Sequence, residues 1–205
     1  MDNIPGLPAR AFEKVDPSPD LDFYAEPRLV NHIDDGAVAA VTALYRRLLP
    51  PGGVVLDLMS SWVSHLPRDV QYAEVIGQGM NAKELGANPR LTRRFVQNLN
   101  ENPTLPLDTA SVDAACVCVG VQYLQQPVAV FLDVARVLRP DAPVIVTFSN
   151  RCFPTKAVAI WRALDGAGQQ KLVSMYLESA GFTRIETGAH TPSRSDPLWS
   201  VVGRR

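Results

Sequence analysis

Apolar positions along this chain alternate between helical spacing and short continuous runs. Val38, Val41, Leu44, Tyr45, Leu48 and Leu49 recur at three- and four-residue steps, Asp34 or Asp35 stands at the N-cap, and Pro50-Pro51-Gly52-Gly53 stops the helix. Val54-Val55-Leu56-Asp57-Leu58 follows directly, a run of the kind a strand covered on both faces shows. The alternation then repeats. Tyr72–Gly77 predicts a second strand, Ala82–Leu85 a short helix ending near Asn88-Pro89, and Arg94–Asn98 a third, weaker strand. Val112–Val119 predicts a fourth strand, Val128–Leu138 an amphipathic helix and Pro143–Phe148 a fifth strand. Helical patterns cover Ala157–Leu164 and Gln169–Ala180, and Phe182–Glu186 and Leu198–Val202 close as strands. Strand–helix alternation of this kind predicts a doubly wound α/β domain, with a mostly parallel sheet and helices on both faces. Such sheets bind ligands outside the carboxyl ends of their strands, where strand order reverses.

Composition changes this picture in a few places. The 205 residues suit a single domain. Proline is in excess at 17, and five of those fall within the first 27 residues. Residues 1–33 therefore read as an irregular arm packed on a 34–205 domain, with Phe12, Leu21, Phe23 and Tyr24 as anchors. Lys and Arg (20) balance Asp and Glu (21), so electrostatic capture of nucleic acid or of an anionic membrane is not expected. Met1–Gly6 has neither a basic nor an apolar leader region, and no apolar run approaches a membrane span. Cys116 and Cys118 share a strand face and make poor disulfide partners, and Cys-x-Cys alone lacks zinc-ligand spacing. A reducing, cytoplasmic setting without a bound metal is expected.

Three segments carry a family likeness: Leu49–Leu58, Leu107-Asp108-Thr109-Ala110-Ser111-Val112-Asp113-Ala114, and Ala135-Arg136-Val137-Leu138-Arg139-Pro140. In this order and spacing the stretch from about Asp34 to Arg205 resembles the class I S-adenosylmethionine-dependent methyltransferases, particularly the type-11-like members. The resemblance implies a Rossmann-like, seven-stranded sheet with the last strand antiparallel. It also implies S-adenosylmethionine as cofactor and a small-molecule acceptor. Oligomeric state is not readable from it.

The cofactor-binding positions implied by the resemblance are Asp57, Met59, Ser60, Ser61, Trp62, Gly79, Met80, Asn81, Asn98, Leu99 and Val119. Several depart from the family pattern. The loop after the first strand, Met59–His65, contains no glycine, whereas the family uses small residues there so that backbone can approach the ligand. Gly79 stands where the family has the acid that clamps both ribose hydroxyls, and neither Gln78 nor Asn81 supplies a carboxylate. Asn98 replaces a common adenine-contacting Asp mildly, and Asp141-Ala142-Pro143 replaces a Gly-Gly turn with a residue that tolerates left-handed backbone.

Individual residues admit paired readings. Asp57 either orients the ligand's amino group or caps the loop's own amides. Trp62 is either core or a wall over the ligand. His65 is a base or, more simply, a cap on a short helix. On the acceptor side the candidates are Gln122, Tyr123, His32 and Arg151, with Tyr24 as a lid residue; Asp34 reads as a helix cap and Tyr123 also suits the core. Met59-Ser60-Ser61-Trp62 lacks the flanking glycines of a hydrolase elbow, leaving His190 without a nucleophile, and no Gly-x-Gly-x-x-Gly supports a dinucleotide enzyme. The expected function is methyl transfer from S-adenosylmethionine to a small molecule; no strong base is required, because the donor methyl is already activated. The alternative is a catalytically silent domain of the same fold that binds another ligand or a protein partner. With the ribose clamp gone, cofactor affinity is expected in the range of roughly tens to hundreds of micromolar.

Overall fold

The computed structural model describes residue 4 and residues 6–205; residues 1–3 and 5 of the expected arm lie outside the described residues. Strands β1 (Val54–Leu58), β2 (Glu74–Gly79), β3 (Arg93–Val96), β4 (Ala114–Cys118), β5 (Pro143–Ser149), β6 (Arg184–Ala189) and β7 (Leu198–Arg204) form one sheet. Their order is β3-β2-β1-β4-β5-β7-β6. The first five strands pair in parallel, and β7 is antiparallel to both β5 and β6, so β7 alone is reversed. The helices are α1 (Asp20–Phe23), α2 (Asp35–Leu48), α3 (Ala82–Ala87), α4 (Pro127–Val137), α5 (Ala159–Arg162) and α6 (Gly166–Ser179).

The two-residue period of the strands divides the core in two. Val55, Val75, Ala114, Cys116 and Ile145 face one side, with Ala37, Val41, Leu44 and Tyr45 of α2. Their neighbours Leu56, Ile76, Ala115, Val117, Val144 and Val146 face the other, where α4 supplies Val130, Phe131 and Val134 and α6 supplies Leu172, Val173 and Tyr176. Every position of β5 is buried, which is why its sequence is apolar except for Thr147 and Ser149. Cys116 and Cys118 share the α2 face, and all three cysteines are free. Asp34 caps α2 through the Ala37 N–H at 2.9 Å, and Asp141 adopts the left-handed backbone (φ 63°) its turn requires. Among the described residues no helix is long and apolar enough to cross a membrane.

Two expected boundaries shift for tertiary reasons. β2 runs on to Gly79, because Gly79 pairs with Val96 of β3. The expected helix 157–164 shrinks to four residues, since its first amides turn away from helix bonding. Val158 N–H donates to Gln122, Ala159 to Glu13 and Ile160 to Ala11, so the N-terminal segment takes the hydrogen bonds a longer helix needs.

That segment is bolted down chemically as well as by Ala11 and Phe12, both buried in the core. Lys156 is completely buried, and its Nζ donates to the Ser18 carbonyl at 2.7 Å and the Ser18 Oγ at 3.1 Å. The same ammonium lies 3.1 Å from Asp16 and 3.6 Å from Asp20, while Lys14 Nζ reaches Asp20 at 2.6 Å. Burial lowers the Lys14 pKa against the pull of Asp20. The network places residues 20–33 over the carboxyl ends of the sheet.

Candidate functional site

Strand order reverses between β1 and β4, and there the chain encloses a cavity of about 360 Å³, a normal size for a small-molecule site. Its walls come from the loops after β1 through β5, from α3 and from residues 20–32. Of the expected cofactor residues, Asp57, Met59, Ser60, Ser61, Trp62, Gly79, Met80, Asn98, Leu99 and Val119 line it. So do Tyr24, His32, His65, Tyr123 and Arg151.

The loop after β1 explains both departures from the family pattern at once. Without a glycine, Met59 itself takes the left-handed turn (φ 56°) that ends the strand. Gln78 then holds the loop on β2: Met59 N–H donates to its Oε1 at 2.9 Å and Ser60 N–H to its carbonyl at 2.6 Å. This brings the Ser60 carbonyl oxygen to 2.4 Å from where a Cβ on Gly79 would sit. An acid at position 79 and this loop conformation exclude one another. On the opposite flank, a Cβ on Gly120 would lie 2.8 Å from the Met59 Cβ, so the loop also packs closely on the β4 end. Val119, β-branched, is itself left-handed (φ 46°), a conformation that costs on the order of 1–3 kcal/mol. Strained backbone therefore stands at the ends of both β1 and β4.

Side chains of the loop are fully engaged. Ser60 Oγ donates to Asp57 at 2.6 Å, so Asp57 receives a hydroxyl where backbone amides were one expectation. Ser61 Oγ donates to Glu84 of α3 at 2.6 Å, and Trp62 Nε1 donates to the Val30 carbonyl at 3.0 Å. Trp62 thus ties the loop to the segment above the cavity.

Asp57 is a carboxyl strongly altered by this setting. Burial pushes its carboxyl up to about 6, against the hydroxyls of Ser60 and Ser64, which favour the ionised form. Unfolded, it releases its proton near 3.8. Between those values the folded chain holds the extra proton, so this group's contribution makes stability fall as pH rises from about 4 to 6. Asp57→Asn removes that slope. Denaturant titrations at pH 4 and pH 7 are expected to show the variant gaining about 3 kcal/mol relative to wild type at the higher pH; equal differences at the two pH values would show that Asp57 is not held protonated.

Three expectations are corrected. Asn81 does not line the cavity. Its Oδ1 caps α3 through Lys83 and Glu84 N–H, and its amide holds the Tyr24 and Ala25 carbonyls. Gln122 is also outside the lining, buried with its amide on the Val119 carbonyl. His65 caps no helix: it sits in irregular backbone at φ 51° and lines the cavity, and burial lowers its pKa. Asn98 faces the cavity, but its amide donates to Glu101 and its Oδ1 accepts from Asn100. Tyr123 is buried, and its hydroxyl accepts the Phe153 N–H at 2.9 Å. Arg151 pairs with Asp196 at 2.8 Å and stays largely exposed at the rim. His32 packs edge-on against Phe153 at 5.4 Å, and burial lowers its pKa, leaving it neutral at pH 7.

Sequence reasoning missed Glu84, Arg28 and Phe153, and it missed the part of Gln78 as anchor of the β1 loop. Only Glu84 had a readable signal: Asn81-x-x-Glu84 is a capping-box spacing. The carboxylate instead turns outward, accepting the Arg28 N–H at 2.7 Å and the Ser61 hydroxyl. It is a cavity carboxylate supplied by α3 when the β2 end has none.

Known proteins agree with this geometry. Residues 62–146 match the family model described as a methyltransferase domain. No curated protein sequence matches the chain. Among solved structures, an S-adenosylmethionine-dependent methyltransferase from Mesorhizobium loti is similar at 15% identity and a TM-score of 0.56, covering 81% of this chain and 98% of its own. Phosphoethanolamine N-methyltransferase 2 from Haemonchus contortus, in complex with S-adenosyl-L-methionine, is similar at 13% identity and a TM-score of 0.59, over 82% of this chain and 52% of that one. The [4+2]-cyclase SpnF is similar at 15% identity and a TM-score of 0.62, over 90% of each chain. The sheet order and these likenesses define the class I methyltransferase fold, and residues 62–146 resemble the methyltransferase domain family.

Proposed function

We propose that this chain binds S-adenosylmethionine weakly and transfers its methyl group to a small-molecule acceptor. The observation that supports this reading is the cavity at the β1/β4 switch point, into which the loops after β1, β2, β3 and β4 all project. Its donor set fits the cofactor. Asp57 and Ser60 would hold the amino-acid end, Glu84 the ribose hydroxyls, and Asn98 with Leu99 the adenine. Glu84 accepts one hydrogen bond on each oxygen already and keeps a lone pair on each for a ligand. The cofactor supplies an activated methyl on a sulfonium. The chain's own part is to align the acceptor, exclude water and take up the acceptor's proton. His32, a neutral imidazole on the acceptor side of the cavity, is the group suited to that last task.

A second reading is supported by the β1 loop, whose Ser60 carbonyl leaves no room for a side chain at position 79: the same fold serving as a catalytically silent binding domain. Fold does not decide between them, and the similar structures include a cyclase as well as methyltransferases.

A thermal-shift experiment separates the two. At 1 mM S-adenosylmethionine or S-adenosylhomocysteine, a dissociation constant near 100 µM corresponds to about 1.4 kcal/mol of stabilisation and a rise in Tm of roughly 3–6 °C. No rise with either ligand favours the silent domain and removes the methyltransferase reading.

A further inference from the structure

We propose that the methyl acceptor is an anion, and that Arg28 is the residue that recognises its carboxylate or phosphate. This rests on the methyltransferase reading above and deepens it. The Arg28 guanidinium carbon lies 4.5 Å from the centre of the Phe23 ring, 5.4 Å from Phe153 and 5.9 Å from Tyr24. Rings on several sides strip water from the cation and fix its plane. One arm is satisfied: Nη2 donates to the Phe23 carbonyl at 2.9 Å. The other is not. Nη1 is shut off from solvent and has no hydrogen-bond partner among the described residues, although Arg28 lines the cavity. A buried guanidinium nitrogen left without an acceptor carries a desolvation cost that a ligand oxygen would relieve.

The acids around the cavity do not take this role. Asp20 is held by Lys14 and lies near Lys156. Glu84 binds the backbone N–H of Arg28 and the Ser61 hydroxyl, and forms no ion pair with the guanidinium. Asp57 is on β1 and is engaged by the Ser60 hydroxyl.

Position assigns the anion to the acceptor. Arg28 packs on Phe153, which follows β5 and is joined to Tyr123 after β4 through the Phe153 N–H. His32 flanks the same Phe153 ring. The guanidinium therefore sits against residues that follow β4 and β5, while Asp57, Ser60, Glu84, Asn98 and Leu99, proposed above for the cofactor, lie on or after β1, β2 and β3. Aromatic rings beside a forked cation suit a flat or apolar acceptor carrying one acidic group.

Calorimetric titrations of benzoate, phenyl phosphate and neutral benzamide into the full-length protein, with and without saturating S-adenosylhomocysteine, test this. Wild type is expected to bind at least one anion about tenfold more tightly than benzamide. Arg28→Met is expected to erase that preference while binding S-adenosylhomocysteine as wild type does; Arg28→Lys, which keeps charge but loses the fork, is expected to restore part of it. Absence of preference in wild type, including no binding of either anion at 10 mM, overturns the proposal without any variant having to fold. So does a preference that survives in Arg28→Met. Loss of S-adenosylhomocysteine binding in Arg28→Met with the anion preference intact would place Arg28 on the cofactor. Failure of wild type to bind S-adenosylhomocysteine at all would count against the methyltransferase reading separately.

Discussion

Gly79→Asp, which restores the family's ribose acid, is expected to weaken this protein and not to tighten its hold on the cofactor. The new Cβ would meet the Ser60 carbonyl oxygen, 2.4 Å away, and that oxygen is backbone, pinned by the bonds of Met59 and Ser60 to Gln78. Overpacking of this kind costs about 3 kcal/mol, or roughly 6–12 °C in Tm for a chain of this size. Gly79→Ala isolates the cause, because the clash begins at the Cβ: alanine should reproduce most of the loss. Thermal melts of both variants, with S-adenosylhomocysteine titrated into each, decide it. A stable Gly79→Asp variant that binds more tightly than wild type would show that the loop moves freely off β2.

The second large effect is expected far from the cavity floor. Lys156→Met removes the ammonium that holds Ser18, Asp16 and Asp20 while preserving most of the apolar stem. Asp20 keeps Lys14, but the Ser18 carbonyl and Asp16 lose their cation, at a cost of roughly 1–3 kcal/mol. The loss should be local first. Residues 13–20 are joined to the domain largely through this network and the bonds of Ala159 N–H to Glu13 and Asp16 N–H to Thr155, so limited proteolysis is expected to cut there well before the sheet opens. Hydrogen exchange that stays as slow as wild type across residues 13–20 would show that the lysine contributes little.

Much of the fold was legible because β1, β4 and β5 are covered on both faces, and continuous apolar runs such as Val54–Leu58 arise for that reason. β3 was harder: it is an edge strand, with Arg93, Arg94 and Val96 exposed, and its boundaries drifted. The helix expected over 157–164 failed because its amides answer to Glu13 and Ala11, partners nearly 150 residues away that no local pattern announces.

The site divides in the same way. Asp57, Ser60 and Val119 were legible as residues that line the cavity because they lie at or just after strand ends, where this fold places ligands. Gly79 was visible as a departure, but its cause, the Ser60 carbonyl, is a contact across strands. Arg28 lies in a stretch without periodicity, and Phe153 looked like one more apolar residue; only the folded chain brings rings and guanidinium together. Glu84 stands at capping-box spacing from Asn81, and only the folded chain shows that its carboxylate lines the cavity and accepts the Ser61 hydroxyl.

The central claim is that the cavity still accepts the cofactor without a clamp at the end of β2. Isothermal titration of S-adenosylhomocysteine and S-adenosylmethionine into the wild-type chain tests it most directly. The expected result is one site with a dissociation constant of roughly tens to hundreds of micromolar, the loss of a charged hydrogen-bond pair being worth about 1.5–3 kcal/mol per bond. Absence of heat at millimolar ligand, or binding at or below a micromolar, would contradict it.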